Sequence, residues 1–137
     1  MLRMNVDFYA ATQGYGFCGD QNQRLFFRVE DFQRLSTEGP LPICGELVSV
    51  EFVSRSEKSL RAKGLRRLVE PRLLQGQVRS FDSNKGWGFV THDGDDYFLH
   101  RSDLTVQFTP IIGSFVKFYA GIRRGRRRAC YIAPTNG

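Results

Sequence analysis

Cysteine is scarce in this chain and cannot be grouped. Cys18, Cys44 and Cys130 stand far apart, with no C-x-x-C spacing and no histidine in a ligand pattern. That excludes a zinc ribbon and offers no disulfide framework, so a reducing compartment, and with it a cytoplasmic location, is the expectation. Long apolar runs are missing too. No stretch approaches the ~18 apolar residues of a membrane span. The opening MLRMNVDFY carries charges at positions 3 and 7, where a signal peptide needs an apolar core. No membrane partner is expected. Also absent are H-E-x-x-H, a nucleophile elbow and a phosphate loop, which leaves no enzyme to expect and no cofactor to hold. His92, Asp93, Asp95 and Asp96 crowd one hairpin tip, but without the spacing of a calcium loop they read as turn chemistry rather than a metal site.

What the chain does have is rings and positive charge. Twelve Phe, five Tyr and one Trp accompany a net charge of +6, a combination suited to polyanions. Two stretches set rings beside glycine, QGYGFC at 13–18 and NKGWGFV at 84–90, although glycine weakens a strand by about 0.5–1 kcal/mol relative to alanine. They belong to a repeat. A shift of 72 residues lays Val6 on Val78, Gly14 on Gly86, Tyr15 on Trp87, Gly16 on Gly88, Phe17 on Phe89 and Phe26 on Phe98 without a gap. The second copy is then four residues shorter before GELVSVEF (45–52) meets GSFVKFYA (113–120). Two units follow, 1–70 and 71–137. They are joined by a short linker near LVEPRLLQG (68–76), where Pro71 interrupts any strand and no Gly/Ser tract appears.

Within each unit apolar residues alternate with period two between closely spaced turn residues, which predicts strands. In the second unit they run over 76–82, 86–91, 97–102, 114–120 and 129–133, with Asp93-Gly94 as a hairpin signal. Five short antiparallel strands in about 65 residues suit a small closed barrel, which leaves no open edge. The expected fold is therefore all-β: two consecutive five-stranded antiparallel barrels. Period two also sorts the faces. Trp87 and Phe89 share one face and Gly88 and Val90 the other, while Phe98 and His100 lie opposite Tyr97 and Leu99. Val90, Leu99 and Val116 fill a barrel interior better than four rings do, so the rings are expected outside. Gly88 then permits the tight curvature. The competing assignment puts the rings in the core, because aromatic stripes are more often buried.

GQVRSF (76–81), KGWGFV (85–90) and YFLHRS (97–102) resemble, in that order, the motifs G-x-V-K-W-F, K-G-[FW]-G-F-I and V-F-V-H-F-S of the cold-shock domain, a barrel of the oligonucleotide-binding (OB) fold. VDFY (6–9), QGYGFC (13–18) and LFFRVE (25–30) resemble them more loosely. RNA-recognition domains also contain K/R-G-F/Y-G/A-F-V, but there the partner aromatic strand precedes the motif and helices separate the strands. Here the partner follows after one hairpin. The resemblance implies single-stranded RNA or DNA as partner, with bases stacked on Trp87, Phe89, Phe98 and His100, and with Arg79 and Lys85 at the phosphates. In the first unit it implies Phe8, Tyr15, Phe17 and Phe26 as the platform. Departures accompany it. Ser80 stands where the family has Trp and Arg101 where it has Phe; in the first unit Asp7 and Gln13 replace the lysines and Arg28 the histidine.

Charge divides the same way. Ten basic against nine acidic residues give 1–70 a net +1, and ten against five give 71–137 a net +5. RRGRRR (123–128), in the last turn of the second unit, sets five arginines together that repel one another until an anion arrives. Arg126, Arg127 and Arg128 thereby join the expected phosphate contacts; a plain solvated turn is the alternative. The counterpart SRSEKS (54–59) is milder. Together these features predict a non-catalytic binder of single-stranded nucleic acid, RNA above DNA, with little sequence preference. The family's RNA-chaperone role implies that it keeps weak hairpins open. A second reading makes one or both ring faces a protein-interaction surface, above all in the first unit, whose rings persist while its charge does not. Cys18, aligned with Val90, is expected to be a small buried hydrophobe.

Overall fold

The structure, a computed structural model, describes residues 2–56 and 59–136. Its regular structure is strand apart from two single-turn 3₁₀ helices, Val29–Asp31 and Arg101–Asp103. The chain divides into two compact units with the boundary between Glu70 and Pro71. No helix among the described residues is long and apolar enough to cross a membrane.

The first unit comprises β1 (Leu2–Ala10), β2 (Tyr15–Gly19), β3 (Arg24–Arg28), the two-residue β4 (Phe32–Gln33), β5 (Leu47–Arg55) and β6 (Leu60–Arg67). Pairing runs β3-β2-β1-β5-β6, β4 adds to β6, and β3 pairs back onto β6 to close the ring. Alternation along β1 drives Met4 and Val6 inward, where they pack with Cys18, Leu25, Phe27, Val48, Val50 and Leu65. Cys18 is fully buried, and burial pushes its thiol up to about 12, so it behaves as an inert hydrophobe. Of the 54–59 turn, residues 57 and 58 lie outside the described residues.

The second unit comprises β7 (Leu73–Asp82), β8 (Trp87–His92), β9 (Asp95–His100), β10 (Phe115–Arg123) and β11 (Arg126–Pro134), closed in the order β10-β11-β9-β8-β7. Val78, Val90, Leu99, Val116, Phe118 and Ile132 form its core, each no more than 1% exposed. With Val90 and Leu99 inside, period two turns Trp87, Phe89, Phe98 and His100 outward.

Two expectations need correction. The barrels are all-β and five-stranded, but each is closed by a parallel pair, β3 with β6 through Phe26 and Arg61 and β9 with β11 through Phe98 and Arg128. An odd number of strands in a ring cannot alternate direction all the way round, so at least one pair must run parallel. The last hairpin is also longer than the alternation of its side chains predicts. Strand pairing continues through Gly121↔Arg128, Ile122↔Arg127 and Arg123↔Arg126 to a two-residue turn, Arg124-Gly125, with φ of 52° and 77°. Backbone hydrogen bonds do not require apolar side chains, and positive φ at both turn positions matches the right-handed twist of the flanking strands.

One feature of the first unit has no counterpart in the second. Arg67 is 1% exposed, and its guanidinium donates to both carboxylate oxygens of Glu46 at 2.7 and 2.8 Å and to the carbonyls of Pro40 and Leu41 at 2.8 and 3.0 Å. This network ties the long 34–46 connection to the end of β6. Opposite Val116, where Val48 faces Arg67 in the first unit, the second unit has Pro134.

Candidate nucleic-acid interface

Each unit holds three outward rings in nearly one geometry. In the second, the ring centroids of Trp87 and Phe98 are 6.0 Å apart at 35°, those of Phe89 and Phe98 5.9 Å at 71°, and those of Trp87 and Phe89 6.2 Å at 88°. In the first, Tyr15 and Phe26 are 5.7 Å apart at 33°, Phe17 and Phe26 5.8 Å at 68°, and Tyr15 and Phe17 6.4 Å at 86°. These separations fall in the range where ring edges and faces attract. Trp87 is 39% exposed, and the others are half-buried by one another.

The glycines between the rings have a backbone cause. A Cβ on Gly88 would run into the Ser80 carbonyl, and one on Gly16 into that of Phe8. The register shifts at matching places, between Val78 and Ser80 and between Val6 and Phe8, which is a bulge that bends the first strand over the second. After the shift Phe8 pairs with Phe17, and Ser80 with Phe89. Phe8 therefore extends its platform, and the second unit has a hydroxyl at that place.

His100 completes the second platform, its ring 6.1 Å from Phe98. Its Nδ1 accepts from the Ser102 backbone N–H at 3.1 Å, which leaves Nε2 as the protonated nitrogen of the neutral ring and a free donor at the surface. Lys85 is held by a turn in which Asp82 Oδ1 accepts from the Asn84 and Lys85 N–H groups at 2.9 and 3.0 Å, and its Nζ lies 6.0 Å from the Trp87 ring.

The expected phosphate contacts prove unequal. Arg79 is exposed and paired with Asp96, which also accepts from Thr91 Oγ1 at 2.8 Å. Arg127 reaches Asp95 at 3.5 Å. Arg128 is half-buried, donates to Asp103 at 2.9 Å and lies 5.6 Å from the Phe98 ring. Its partner in the first unit is Arg61, which donates to Asp31 at 2.9 Å across the same closing pair. Arg128 is thus fixed by the barrel seam, while Arg126 at the turn is exposed. Arg123 and Arg124 belong to the 123–128 run already read as a phosphate-contacting loop, whereas Ile122 was not legible as a site residue, because the fold alone brings the arginine hairpin beside the rings. Trp87, Phe89 and Phe98 form one wall of an open groove of about 1200 Å³, and the 122–128 hairpin forms the other. Among the described residues, no group of three or more His, Cys, Asp or Glu is placed to hold a metal ion. His92 at the hairpin tip donates from Nδ1 to the Gln75 carbonyl at 2.7 Å.

In the first unit cations already lie on the rings. Arg24 sits 4.2 Å from the Phe17 centroid and pairs with Asp7 at 3.1 Å, and Arg28 sits 5.6 Å from Phe26.

No family model matches the chain. It is 36% identical over 70 residues to the cold shock domain-containing protein CG9705 of Drosophila melanogaster, covering 50% of this chain and 43% of that protein. It is 28% identical over 108 residues to calcium-regulated heat-stable protein 1 of Homo sapiens, covering 77% of this chain and 66% of that one. The chain thus spans 43% to 66% of the length of these curated relatives. Among solved structures, the drosophila Unr CSD456 chain aligns over 98% of this chain and 62% of its own length, at 20% identity and a TM-score of 0.38. The chain is therefore two closed five-stranded barrels in succession, similar in sequence to proteins that include one named for the cold shock domain.

Proposed function

We propose that the second unit binds single-stranded nucleic acid, RNA above DNA and with little sequence preference. Bases would stack on Trp87, Phe89, Phe98 and His100 while Lys85 and the 123–128 hairpin meet the phosphates. The observation that carries this reading is the groove itself, with a wall of exposed rings facing a wall of arginines. Stacking is worth about 1–3 kcal/mol per base, so three rings supply much of the ~8 kcal/mol of a micromolar complex before any phosphate is counted. Bound bases cannot pair, so weak hairpins are held open by mass action and no catalytic group is needed. The proposal includes a cytoplasmic setting, in keeping with Cys18, Cys44 and Cys130 standing far apart in the sequence.

Trp87 is the one tryptophan, so it reports this site directly. Titration with a pyrimidine oligonucleotide is expected to quench its emission, and Trp87→Ala to cost about 1–3 kcal/mol of affinity. Emission unchanged at saturating oligonucleotide would remove the proposal.

For the first unit a protein contact is the second reading. Arg24 already covers Phe17 where a base would lie, and Asp7 opposes phosphate. Salt separates the two, since single-strand binding weakens with a log–log slope near −0.7 per phosphate neutralised and an apolar contact does not.

A further inference from the structure

Several cations of the first unit are matched by carboxylates. Arg24 is matched by Asp7, Arg61 and Lys63 by Asp31, and Arg67 by Glu46. Three others share a different surface, built on β1, β5, β6 and β4. Register places Arg3 opposite Ser49, Ser49 opposite Arg66, and Arg66 beside Gln33, so the four stand in one row across four strands. Arg34 joins them and donates to the Gly39 carbonyl at 3.0 Å. The result is a cleft of about 680 Å³ with Arg3, Arg34 and Arg66 at its sides and Ser49 among its lining residues. Ser49 is 6% exposed. No carboxylate lines the cleft, and among the described residues no ion pair involves these three arginines.

Like charges gathered without a counterion raise the local potential and favour an arriving anion, and guanidinium heads match phosphate oxygens in pairs. The lining contains no aromatic ring, so the cleft offers no ring platform of the kind the β8 and β9 rings form. Arg3 and Arg66 stand on strands either side of β5, with Cα atoms about 10 Å apart at the usual strand spacing. That span suits successive phosphates of a chain better than one phosphorylated side chain. We propose that this cleft is a second polyanion site, which grips the sugar-phosphate backbone of a nucleic acid strand through Arg3, Arg34 and Arg66 without base contact. It rests on the nucleic-acid reading only for the identity of the anion's carrier.

The test uses the full chain and the double variant Arg3→Ser/Arg66→Ser, both positions being exposed. Inorganic phosphate is expected to move the backbone amide resonances of Gln33, Ser49 and Arg66 saturably, and the double variant to abolish the movement. With poly(uridine), the variant's salt slope is expected to be shallower by about 1.4, for two phosphates fewer at ~0.7 each. Amides that stay still, or an unaltered slope, would overturn the proposal. Phosphate-responsive amides that a phosphoserine peptide saturates while the slope is unaltered would give the cleft to a phosphoprotein and overturn it equally. Trp87 emission reads the other site separately: no quenching with the slope difference intact would sink the ring-face proposal and leave this one standing.

Discussion

The two barrels present the same three rings, yet one ion pair beside them is reversed. In the second unit Arg79 on β7 pairs with Asp96 on β9; in the first, Asp7 on β1 pairs with Arg24 on β3. Both couple the edge strands of the ring face, so as a clamp they are equivalent. They differ in where the cation ends. Arg24 folds over Phe17 at 4.2 Å, whereas the matching position beside Phe89 holds a carboxylate. Two charges exchanged between strands leave the fold alone and change whether a ring is open to a base. Ring geometry and ring availability are separate properties, and repetition of a motif transmits only the first.

The largest expected effect concerns stability. Arg67→Ala leaves the largely buried Glu46 carboxylate with the Ile43 N–H but without its charge partner, and breaking a buried pair in this way typically costs about 3–5 kcal/mol. The loss should fall on the first unit, because the second has Pro134 at the corresponding place. Urea unfolding of the variant is expected to split, with the first unit's transition moved to lower denaturant. A single transition at the original midpoint would show that the network contributes nothing distinctive.

Next comes the contrast between the platforms. Tyr15→Ala is expected to weaken oligonucleotide binding far less than Trp87→Ala, although the two rings occupy the same place in their triads. Equal losses in a direct binding titration would show that Arg24 on Phe17 does not block stacking. The same comparison sharpens in reverse. Arg24→Ala uncovers Phe17 and removes a cation–π contact worth about 0.5–1 kcal/mol at an exposed site. A small loss of stability should accompany a gain in binding by the first unit, read by isothermal titration in a Trp87→Ala background; stability lost with no binding gained would refute the covering role.

The smallest effect lies in pH. Asp31 and Asp103 are equivalents in the repeat, each paired across its barrel seam, yet their carboxyls move oppositely. Burial alone would raise Asp31, but hydrogen bonds from Arg61, the Arg28 N–H and Lys63 hold it below its ordinary 3.8. Burial raises Asp103 above 3.8 against the pull of Arg128. Asp31 therefore contributes stability that is present above 3.8 and lost as pH falls through its depressed folded value. Asp103 contributes most below 3.8, and its contribution declines as pH rises through its raised folded value. At neutral pH, Asp31→Asn is expected to destabilise more than Asp103→Asn, a difference that closes on acidification. Thermal unfolding across that range checks it, and a difference constant with pH would refute the assignment.

The repeat, the strands and the outward rings were legible because each rests on period two and on local turn chemistry, which a sequence displays directly. Val90 and Leu99 could be assigned to the interior for the same reason. The parallel closure was not legible, since it is a property of the ring rather than of any strand. Neither was the engagement of Arg128 with Asp103, 25 residues away, nor the extension of the last hairpin through the arginines. The reversed pair was visible in part: aligned on the repeat, Asp7 falls on Arg79 and Arg24 on Asp96.

The amino-acid order by itself determined two all-β units, their alternation of inner and outer residues, and a second half of higher net positive charge. Which cations are spent on carboxylates, which lie over rings and which face an open cleft was decided only by tertiary structure. Alternation is local, set by the geometry of the peptide chain, whereas charge pairing depends on distances that exist once the barrel has closed.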